Sequence, residues 1–134
     1  MPVNIIQDQM GQTLALVISD TTKFPAGHNF FTQPKDELQF AVFNHPKNHS
    51  IQRHWHPTFT RTLSSTCEVL VIQTGLVKAS IYDSNFNLIH VQELKAGDVA
   101  VLFSGGHGFE ILEDTLMLEI KQGPYAGTKD KETF

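Results

Sequence analysis

His54 and His56 sit one residue apart, and an arginine, Arg61, and a glutamate, Glu68, follow in the same stretch of chain. On a strand, alternate side chains leave the same face, so both imidazoles would project together. Imidazole is the commonest metal-ligating side chain, and a same-face pair on a rigid strand converges well. Glu68 opens an apolar run, Val69 to Ile72, that closes near Gly75. A carboxylate at the edge of such a run lines a cavity or finds a partner, because unpaired burial is costly. A second polar cluster, Ser104-Gly105-Gly106-His107-Gly108, follows another apolar run. If the two clusters meet, they make a site.

Arg61 and Glu68 have a plain reading as a cross-strand ion pair. Their functional reading is an anchor for an anionic or hydroxylated ligand. Glu119 and Lys121 alternate on one face of a late apolar run, where solvent exposure is the simple reading and substrate contact the functional one. His28, His45, His49, His90 and Tyr125 have no comparable spacing, and the phenylalanines are most simply core. The glycines around His107 serve backbone turns; a phosphate cradle would need a following helix.

Rigid elements must hold these groups, and the chain offers short strands. Residues 13–19, 38–43, 67–73, 77–82, 88–94, 99–103, 109–112 and 116–121 are apolar and rich in β-branched or aromatic types. Residues 50–56 read as a further extended segment, interrupted by Pro57. Thr74-Gly75 predicts a tight hairpin turn, and 83–87 and 95–98 predict two more turns. Residues 28–31 read as a loop with anchoring aromatics, and 123–134 as a loop or a short cap over the core. Strands at such spacing, without an amphipathic helix, repeat or linker, predict an all-β sandwich or barrel.

The 134 residues make one domain, residues 1–134, long enough for a sizeable core. A net charge of −4 gives no electrostatic case for nucleic acid or acidic membranes. No apolar run approaches the roughly 20 residues that span a bilayer. The opening residues lack a basic region followed by an apolar core, so no signal peptide is expected. Cys67 is the lone cysteine, which excludes an intramolecular disulfide and fits a reducing, cytoplasmic setting. Candidate edge strands in the apolar N-terminal third need covering, which predicts a homodimer.

Glu68 with Gly75, then Gly97-Asp98, then His107 resembles the two motifs of the cupin superfamily. The first of those motifs has a His-x-His pair, a glutamate and a glycine; the second runs from Gly-Asp to a histidine. The resemblance covers about residues 54–107 and implies a cupin-type jelly-roll β-barrel. The ending from Glu119 to Phe134 is similar to a group of small bacterial cupins of little-characterised function. By the resemblance, His54, His56, Glu68 and His107 would hold a divalent metal such as Zn, Fe, Mn or Ni. Arg61, Glu119 and Lys121 would meet a small-molecule substrate. The implied activity is isomerisation or epimerisation of a sugar-like or carbonyl substrate, with Glu68 or His107 moving the proton. A metal-dependent dioxygenase and a non-catalytic ligand-binding cupin are the alternatives.

The sequence departs from the pattern in the second motif, which is a residue short with Phe103 where a proline is common, and more widely in the first. Eleven residues separate His56 from Glu68, against the usual three or four. A regular hairpin turning at Ser64-Ser65 would set Arg61 opposite Glu68. His56 would then lie about 17 Å along the strand from Glu68, at roughly 3.4 Å per residue. The histidines reach Glu68 only if residues 57–66 bulge or loop out.

Overall fold

The computed structural model describes residues 2–19 and 23–134. Its strands are β1 (Val3–Gln7), β2 (Thr13–Ile18), β3 (Gly27–Phe30), β4 (Ala41–Asn44) and β5 (Glu68–Thr74). They continue with β6 (Leu76–Tyr82), β7 (Leu88–Lys95), β8 (Val99–Leu102), β9 (Gly106–Ile111) and β10 (Leu116–Lys121). A short 3-10 turn at Gly127–Lys129 is the helical element of the tail. The chain is all-β, and its strand pairs are antiparallel. Among the described residues no helix is long and apolar enough to cross a membrane.

A five-stranded sheet of order β1-β2-β8-β5-β10 forms the central layer. One of its faces packs on the three-stranded sheet β7-β6-β9. The core between them joins Val17, Leu70, Ile72, Ala100 and Leu102 to Val77, Ala79, Ile81 and Leu94. The other face carries Leu16, Ile18, Val69, Val99 and Val101, covered by Phe24, Phe31, Leu38, Phe40 and Val42 from the region of the β3–β4 pair. This three-layer packing explains why β5 and β8 read as continuous apolar runs: both of their faces are covered. Each large aliphatic side chain so buried contributes roughly 1.5–3 kcal/mol.

Turns close the sandwich as the sequence requires. Gly97, at φ 92°, lets the chain reverse between β7 and β8. Asp98, though buried, is satisfied there: its carboxylate accepts the Lys95 amide at 2.9 Å. Gly105, at φ 72°, leads into β9 where an added Cβ would strike the Tyr82 carbonyl.

Four expectations need correction. β1 pairs with β2 where no strand was anticipated, and β3 replaces the loop expected at 28–31. Weak strand propensity at Gly27–Phe30 is offset by pairing with β4 and by Asn29, whose amide donates to the Pro25, Gly27 and Val42 carbonyls. The strand expected from residue 38 begins only at Ala41, because side chains close a loop before it. Thr32 Oγ1 accepts the Phe40 amide, and the Gln39 amide donates to the Gln33 and Asp36 carbonyls. The extended segment expected at 50–56 is not a strand: among the described residues nothing forms a strand ladder with 45–67, and residues 46–64 are exposed.

Candidate functional site

Register decides which side chains meet. In β5, Glu68 leaves the same face as Leu70 and Ile72, toward the core between the two sheets. Across β6, His107 pairs with Ile81 and Phe109 with Ala79, so both point to that core from the opposite sheet. At the end of the sandwich the two polar residues meet, with His107 Nε2 3.1 Å from Glu68 Oε2. Glu68 is nearly enclosed and His107 about one-third exposed, which describes a pair at the mouth of the core. The two sequence clusters therefore converge through Glu68 and His107.

The β10 strand adds a third group. Lys121 lies directly opposite Glu68 and Glu119 opposite Leu70, so both are on the face that carries the pair. Lys121 Nζ is 2.8 Å from Asp130 Oδ2, which ties the tail to this rim. Lys121, Tyr125, Thr128, Asp130 and Lys131 line a recess of about 380 Å³ beside it. The solvent-exposed reading of Lys121 is thus corrected: it is partly covered and ion-paired. Asp130 is not a candidate from the sequence, since eight residues separate it from Lys121 and only the folded tail reveals the pairing.

The electrostatics follow from these contacts. The His107 hydrogen bond holds the Glu68 carboxyl below the usual glutamate range, against the opposing effect of burial. The charges of His107 and Lys121 act in the same direction. Asp130 raises Lys121, and Lys121 lowers Asp130. Glu68 is therefore a carboxylate at neutral pH, accepting from Nε2–H of the imidazole. That assigns the proton to Nε2 and leaves Nδ1 as the basic ring nitrogen.

Arg61, His54 and His56 are elsewhere. The Arg61 guanidinium lies 3.8 Å over the Phe59 ring, so the cross-strand pair with Glu68 is replaced by a local cation–π contact. His54 Nδ1 donates to the Gln52 carbonyl, 2.8 Å away, and its ring sits 5.3 Å edge-on to that of His56. Among the described residues no three His, Cys, Asp or Glu side chains gather closely enough to hold a metal ion. Among the described residues, the donors at the mouth are Glu68 and His107, engaged with each other, with the Glu119 side chain beside Glu68. A closed structural zinc site needs four ligands and a catalytic one three. The groups present do not fit the divalent metal that the resemblance implies, and no chemical step is derived through it.

Two other clusters lie away from this mouth. A cleft of about 600 Å³ on the opposite face of the central sheet includes Lys35, Asp36, Glu37, Ser65 and Cys67. Its acid is occupied: the Glu37 carboxylate accepts from the amides and hydroxyls of Ser64 and Ser65. The Ser65 hydroxyl and these amides lower Glu37 to about 2. Burial pushes the Cys67 thiol up, away from nucleophilic use. The larger cleft is therefore a structural anchor, and the smaller recess, lined by Lys121 and Asp130, lies beside the Glu68–His107 pair. His28, His45 and His49 also gather, which no spacing signalled. The His45 and His49 rings stack in parallel at 4.0 Å, so their nitrogens do not point to a common ion.

No protein-family model, curated protein or solved structure matches this chain.

Proposed function

We propose that this chain is a cupin-type jelly-roll protein that binds a small hydroxylated or carbonyl-bearing molecule at the Glu68–His107 mouth and moves a proton on it, as an isomerase or epimerase does. One observation carries the reading: an ionised carboxylate hydrogen-bonded to an imidazole, 3.1 Å apart, on facing sheets at the opening of an apolar core. A glutamate held below its ordinary range is a weak base, so Glu68 is the positioning group. It fixes the tautomer and stabilises the imidazolium, while His107 takes and returns the proton through Nδ1. Lys121, on the same rim, offers a positive charge to a substrate oxygen as negative charge develops there. A lone, buried Cys67 is compatible with a cytoplasmic setting.

A second reading has its own observation. Glu68 and His107 satisfy each other, and Lys121 is held by Asp130, an arrangement equally suited to binding without chemistry. Small aldoses and ketoses in heavy water separate the two readings. The catalytic reading predicts deuterium entering the carbon next to the carbonyl, slowed by about 100-fold or more in His107→Ala. Amide shifts around His107 and Lys121 without exchange would leave a binding protein. Shifts confined to the cleft beside Cys67 would move the site away from this mouth.

A further inference from the structure

The segment between β4 and β5 is long and bare. Residues 45–67 carry no strand, and loops beyond about 12–15 residues without structure of their own are usually functional. Its base is fixed rather than loose. Glu37 takes the Ser64 and Ser65 amides at 3.0 and 2.8 Å, and Gln122 bridges the Cys67 amide and the Glu37 carbonyl. From that base the chain displays Ile51, Trp55, Phe59 and Leu63, with Trp55 77% exposed. These positions recur every four residues, so in an extended chain they share one face.

A matching surface lies on β10. That strand bonds to β5 on one side, and among the described residues no strand pairs with its other edge. Its outer face exposes Leu116, Leu118 and Ile120, at 58%, 47% and 57%. The free edge of β9 offers no such row, since its outward residues are Gly106, Gly108 and Glu110. The segment also carries a charge opposite to that of the rest of the chain. Segment 45–66 holds three of the ten basic residues and none of the fourteen acidic ones, so the remainder of the chain is strongly acidic.

We propose that residues 51–63 are an exchanged arm. In a two-fold dimer each arm pairs with the free edge of β10 in the other copy and brings the partner's His54 and the partner's His56 to the Glu68–His107 mouth. Period two supplies the reason. With the arm's apolar row continuing Leu116, Leu118 and Ile120 on the outside, the alternate residues face inward, beside Met117, Glu119 and Lys121. If the partner's Trp55 stands opposite Leu118 or Ile120, then in either strand direction one of these two histidines stands opposite Glu119. The exchange is isologous, covers both apolar rows, and removes an exposed edge. The thirteen residues of the arm and the six of β10 together approach the roughly 20–30 residues that a standard interface takes from each partner. The histidines that one chain leaves outside its own site are thereby delivered to that of its neighbour. This inference rests on the Glu68–His107 mouth being the working site.

The test uses the full chain and needs no ligand. Light scattering should give twice the 15.0 kDa chain mass. Trp55→Asp combined with Phe59→Asp should yield the single-chain mass with an unchanged circular dichroism spectrum, and Leu118→Lys should do the same from the other side. Opposed residues on paired strands have Cα atoms about 4.5–5.5 Å apart, within disulfide reach. Co-expressing a His54→Cys or His56→Cys chain with a Glu119→Cys chain should therefore give a disulfide-linked dimer from at least one mixture. A monomer at every concentration, a dimer that survives both apolar-row variants, or no cross-link from either mixture would overturn the exchange. None of these outcomes bears on whether sugars bind, so failure here is distinguishable from failure of the proposed function.

Discussion

Glu68 is the residue on which two sheets depend at once. It lies opposite Leu102 in β8 and Lys121 in β10, and its carboxylate crosses to His107. Because its folded value lies below the ordinary 4.5, the pair stabilises the native state above that pH. The contribution is lost as pH falls through the lower folded value, where the native state must accept a proton it resists. His107→Ala should therefore unfold at lower urea than the parent near pH 7, by about 1 kcal/mol once the exposure of the pair is discounted. The difference should vanish in strong acid. An equal deficit at both pH values would show that lost packing, and not the charged pair, is responsible.

At the scale of elements, the strands were legible wherever local pattern and tertiary environment agree. β5, β6, β7, β8 and β10 announce themselves by β-branched runs punctuated at Gly75 and Gly97, and Glu68 and His107 follow because each sits at a strand end. The arm was not legible. His54-Trp55-His56 has strand chemistry, yet a strand forms only against a partner, and the described residues supply none. Composition also gave no warning that Lys121 would pair with Asp130, since that contact belongs to the folded tail. The base of the arm offers a separate prediction. Glu37→Ala should speed amide exchange at Ser64 and Ser65, because it removes the acceptor of both amides. In the parent the same loosening should begin below the ordinary glutamate value of 4.5 and complete near about 2, the folded value. Unchanged protection in Glu37→Ala would mean that something other than this carboxylate holds the base.

The whole molecule makes the site by closing one sheet over another, since neither layer contains both members of the pair. The five-stranded sheet supplies Glu68 and Lys121, the three-stranded sheet supplies His107, and the shared core fixes their separation. The tail adds a rim: Phe134 stacks on Phe86 at 4.3 Å and packs edge-on to Tyr82, next to Gly106. A carbon-13 titration of the Glu68 carboxyl, in the parent and in His107→Ala, reads that closure directly. The parent midpoint should lie below 4.5 and rise in the variant, because the hydrogen bond from His107 is the largest cause of the depression. A Glu68 that titrates at its ordinary value, or at the same pH with and without His107, would contradict the paired site.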